Sequence, residues 1–155
     1  MFSNSTLIKI DKSLFSLPLS KEQTEFIIPQ KQPFVLITSL IKADETGCET
    51  SFTTSENHLL LQGTRLSSCG IIKNIAQSCA TMMGFVNAAQ DSKPKVGFII
   101  YTRSFQCSKL PGVGETIYTT IQIDNQVFDV TIIEGKFLIE WRTDSIIQNE
   151  NICET

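Results

Sequence analysis

The chain has 155 residues, 41% of them hydrophobic, with a formal net charge of −3 and one histidine. That length suits one domain, residues 1–155, able to bury its own core, and that apolar content excludes a disordered chain. A mildly acidic chain without a Lys/Arg cluster excludes general nucleic-acid binding.

Residues 1–19 are mixed; "TLIKI" suits a short edge strand, and Pro18 closes the segment. "SKEQTEFII", residues 20–28, predicts a short helix, with Ser20 and Gln23 in capping-box spacing and Pro29 and Pro33 stopping it. "PFVLITSLIKAD" (33–44) and "ETGCETSFTTSE" (45–56) predict an antiparallel strand pair, with Gly47 near the turn. Residues 57–69 form a connecting loop, in which Ser67 or Ser68 is the N-cap of the next helix.

That helix is predicted over residues 70–88, about 28 Å long. Ile71, Ile75, Cys79, Met82 and Val86 form an apolar stripe, and Ala76, Ala80 and Gly84 keep the opposite side small, so the helix is buried on most sides. "KVGFIIYTRSFQC" (95–107) predicts a long strand buried on both faces, and "LPGVGE" (110–115) a turn. "TIYTTIQI" (116–123) alternates. "DNQ" turns the chain, "VFDVTII" groups Phe128, Val130 and Ile132, and "EG" turns it again. "KFLIEW" then groups Phe137, Ile139 and Trp141. The polar tail, residues 145–155, is expected to fray.

The order is helix, two strands, one long buried helix and at least four strands in a meander. This is an α+β layer architecture, and an antiparallel sheet wrapped around one central helix is the hot-dog fold. Five cysteines, without a CxxC and with no histidine beside them, read as buried thiols, with neither a metal site nor a disulfide framework. The N-terminus lacks a basic segment followed by an apolar run, and the longest uncharged stretch is too polar to span a membrane. A cytoplasmic protein without membrane or nucleic-acid partners is expected.

Several stretches carry a resemblance. "IIPQKQPFVLI", "GIIKNIAQSCA", "KVGFIIYTRSFQ" and "LPGVGETI" are similar to the opening, central-helix, strand and turn segments of the 3-hydroxyacyl-[acyl-carrier-protein] dehydratases. The match resembles most their short-loop branch, found beside pigment, polyketide and fatty-acid pathways, and it runs from about residue 27 to residue 141. The resemblance implies an acyl chain carried on a carrier protein's phosphopantetheine arm, with no cofactor of the protein's own. It implies loss of water to a trans-2-enoyl thioester, a histidine taking the C2 proton, a central-helix carboxylate handling the hydroxyl, and a site at a dimer interface.

Carried onto this chain, the family's helix glutamate falls on Lys73, and residues 70–90 contain no Asp or Glu. The histidine role has two registers. Matching "QG" at 62–63 puts Thr64 in its place, whereas a shorter loop gives the role to His58. The Gly-His-Phe-Pro-Gly signature is absent. His58 suits proton transfer because its unperturbed pKa lies near neutrality, and the competing reading is a histidine that satisfies a backbone carbonyl. A lysine has no acceptor and the opposite charge. Lys73 therefore reads first as a mark of lost or weakened dehydration, second as a repurposed acid, and last as a snorkelling surface residue, which its small neighbours disfavour. Cys69 and Gly70, at the positive helix start, are expected to face the thioester carbonyl, and Gln77 joins them as substrate-binding. A nucleophilic Cys69 is disfavoured, having no base placed beside it.

Three functions follow. The first is a dehydratase-like enzyme on carrier-bound 3-hydroxyacyl chains. The second is a non-catalytic subunit that binds acyl carrier protein or forms a heterodimer with an active paralogue. The third is a thioesterase, which also ordinarily needs a helix carboxylate. A homodimer or heterodimer is expected.

Overall fold

A computed structural model describes residues 16–89, 99, 101–128, 130–143 and 146–154. Helix α1 spans Lys21–Ile27 and starts on the expected capping box. Gln23 N–H donates to Ser20 Oγ at 3.3 Å, and Ser20 N–H donates to Gln23 Oε1 at 2.9 Å. Ile28 is already extended, as a residue before proline must be.

Strands β1 (Ser39–Ala43) and β2 (Gly47–Thr53) form the expected antiparallel hairpin. Asp44 closes its turn by accepting from Thr46 N–H, Thr46 Oγ1–H and Gly47 N–H. These bonds, the one from the Thr46 side chain foremost, hold its carboxyl below the usual aspartate value. Strand β1 is shorter than the predicted 33–44. Residues 35–37 are buried but unpaired with any strand, and side chains bond the Leu36 N–H and the Val35 and Leu36 carbonyls.

The predicted loop 57–69 contains a small hairpin, β3 (Leu61–Gln62) with β4 (Arg65–Leu66), turning on Gly63 at φ 64°. Helix α2 then runs over Ser68–Ala89, about 33 Å. Strands β5 (Thr116–Val127), β6 (Val130–Thr143) and β7 (Ile146–Glu154) complete a five-stranded antiparallel sheet in the order β1-β2-β5-β6-β7, with α2 packed across it.

Several expectations are corrected here. The "TLIKI" strand lies outside the described residues, as do 95–98 and 100. In the predicted strand 95–107, residues 101–107 are not in a strand, and Ile99 and Tyr101 are exposed rather than buried. Three meander strands, not four, are therefore present among the described residues. "DNQ" makes a bulge between Ile123 and Asn125 instead of a turn, and β5 continues to Val127. "EG" lies inside β6, where Gly135 pairs with Ile121. Within the tail expected to fray, the backbone of residues 146–154 is β7, paired with β6.

The core forms between sheet and helix from Leu36, Leu40, Leu66, Ile71, Met82, Ile117, Ile121, Phe137 and Ile139. Each such burial contributes about 1.5–3 kcal/mol against exposure. The side α2 turns toward α1 is also tight. A Cβ at Gly84 would collide with the Ile27 carbonyl oxygen, so α1 docks at a distance only glycine permits.

Candidate functional site

Beside the apolar residues Ile71, Ile75 and Met82, the buried side of α2 carries a polar stripe. Asn74, Gln77, Ser78 and Thr81 repeat at helical spacing, and all are buried. A polar group without water must find a partner or cost about 1–3 kcal/mol. Each does. Asn74 donates from Nδ2 to the Leu36 carbonyl at 2.7 Å and accepts from Thr119 Oγ1 at 2.6 Å. Gln77 accepts the Leu36 N–H at 2.8 Å and donates to the Phe34 carbonyl at 2.8 Å. Ser78 Oγ lies 2.7 Å from Thr50 Oγ1, and Thr81 returns its hydroxyl to the Gln77 carbonyl.

Gln77, expected to bind substrate, is therefore committed to the extended segment 34–36. His58 is tied to the same segment. It is buried, and its ring meets Phe52 edge-on at a centroid distance of 5.6 Å. Leu60 N–H donates to Nδ1 at 3.2 Å, and Nε2 lies 3.3 Å from the Val35 carbonyl. A main-chain N–H only donates and a carbonyl only accepts, so the imidazole is the Nε2–H tautomer with both nitrogens engaged. Proton abstraction from a substrate requires Nδ1 to release Leu60 or the ring to shed a proton it donates to Val35.

The helix start brings other expected residues together. Ser67, not Ser68, is the N-cap, because its Oγ accepts the Gly70 N–H at 3.1 Å. That N–H, expected to face a thioester carbonyl, is thus spent on the cap. Gly70 is demanded by packing, since a Cβ there would lie 2.6 Å from Leu66 Cδ1. Cys69 and Lys73 are exposed. The expectation that Ala76 and Ala80 would shield Lys73 does not hold for the single chain. Among the described residues, no hydrogen bond or ion pair joins Lys73 to His58. Thr64 sits exposed on the β3–β4 turn, with its carbonyl accepting from Val113 N–H at 2.9 Å.

The thiols separate by burial. Cys48 donates to the Ser78 carbonyl at 3.3 Å, and burial pushes its pKa up to about 12. Burial also raises Cys79 and Cys107. All three are poor thiolates at neutral pH.

The sequence reading missed Asn74, Thr119, Ser78 and Thr50. The signal was present: Asn74, Gln77, Ser78 and Thr81 stand at i, i+3, i+4 and i+7, a polar stripe on a helix read only for its apolar one.

No helix among the described residues is long and apolar enough to cross a membrane. No curated protein matches the chain. Among solved structures, the chain is similar to "The Dehydratase Heterocomplex ApeI:P from Xenorhabdus doucetiae", with TM-score 0.60 and 15% identity over 90% of each chain. It is also similar to the uncharacterized protein PH1136 from Pyrococcus horikoshii, with TM-score 0.50 and 12% identity over 90% of this chain and 92% of that one. These likenesses establish the hot-dog fold. The family described as ApeP-like, ApeP dehydratase, matches residues 22–139, and this chain belongs to the ApeP-like dehydratase family.

Proposed function

We propose that this chain is a dehydratase-type hot-dog subunit that binds carrier-protein-linked 3-hydroxyacyl thioesters and acts as the partner in a pair with an active paralogue. It supplies structure and binding surface, not the acid–base groups. The observation that carries this reading is the state of His58: both ring nitrogens are held by main-chain groups. The absence of Asp and Glu from α2 supports it, since removal of water at C3 needs a group to take the C2 proton and another to protonate the leaving hydroxyl. Lys73 stands where the resemblance places that second group. The solved family neighbour is itself named a heterocomplex.

The test is a dehydration assay on 3-hydroxyacyl carrier protein with the chain alone, with a catalytically competent dehydratase paralogue, and with both together. The expected result is no enoyl product from the chain alone, retained binding of the acyl carrier, and product from the mixture that is unaffected by His58→Ala in this chain once folding is matched. Enoyl product from the chain alone that disappears in His58→Ala would overturn the partner reading and restore His58 as the base.

A further inference from the structure

We draw no further inference here: the strongest candidate, the exposed apolar surface patch of Val127, Phe128, Val130 and Ile132 at the tip of the β5–β6 hairpin, carries nothing, because nothing in the structure shows what covers it.

Discussion

Two sides of α2 obey different rules. On the side facing the sheet, Asn74, Gln77 and Ser78 each reach across to another element and are buried. At the start of the helix, Ser68, Cys69 and Lys73 face outward. The first set is fixed by geometry, because a buried amide or hydroxyl that loses its partner keeps its desolvation cost. The second set is free to change even the sign of its charge. Of the helix residues singled out by the family resemblance, Gln77 falls on the committed side and Lys73 on the tolerant one, where a change of charge leaves the fold undisturbed.

The sharpest test of this contrast is Asn74→Ala, which strands the Leu36 carbonyl and the Thr119 hydroxyl. Denaturant unfolding is expected to show a loss of about 3 kcal/mol. A loss below about 1 kcal/mol would mean that the polar side is no more constrained than the surface. Next comes Gly70→Ala, on the boundary between the two sides. Its methyl meets Leu66 within 2.6 Å, and a loss of about 1–2 kcal/mol is expected in the same measurement. The smallest effect belongs to Lys73→Glu, expected within about 0.5 kcal/mol of the native chain. A larger penalty would show that the outward side is also structurally committed.

The part of the fold legible in the sequence is the part governed by local chemistry. The Ser20/Gln23 box, the hairpin turning before Gly47, the span of α2 and the alternation of Ile117, Thr119 and Ile121 depend on spacing alone, and each is present. The errors lie where tertiary partners override a local signal. Asp124, Asn125 and Gln126 have turn chemistry, yet pairing with β6 carries them through as a bulge. Glu134 and Gly135 likewise remain in a strand because β5 lies alongside. Residues 34–37 have strand composition but lie off the sheet edge. At the site, the sequence brings His58 and Gln77 into prominence as chemical groups. Their actual partners are the main chain of a segment roughly twenty to forty positions away, a relation no spacing rule encodes.

That segment has a dynamic consequence. Its Leu36 amide and the carbonyls of Phe34, Val35 and Leu36 are bonded by α2 and by His58 instead of by an adjacent strand, so it has no ladder along which to fray. The Leu36 amide should exchange with deuterium only when the helix itself lifts off, with the opening free energy of α2, while amides of the neighbouring β1 edge exchange sooner. The stretch is a loop by name and a fixture of the interior by kinetics.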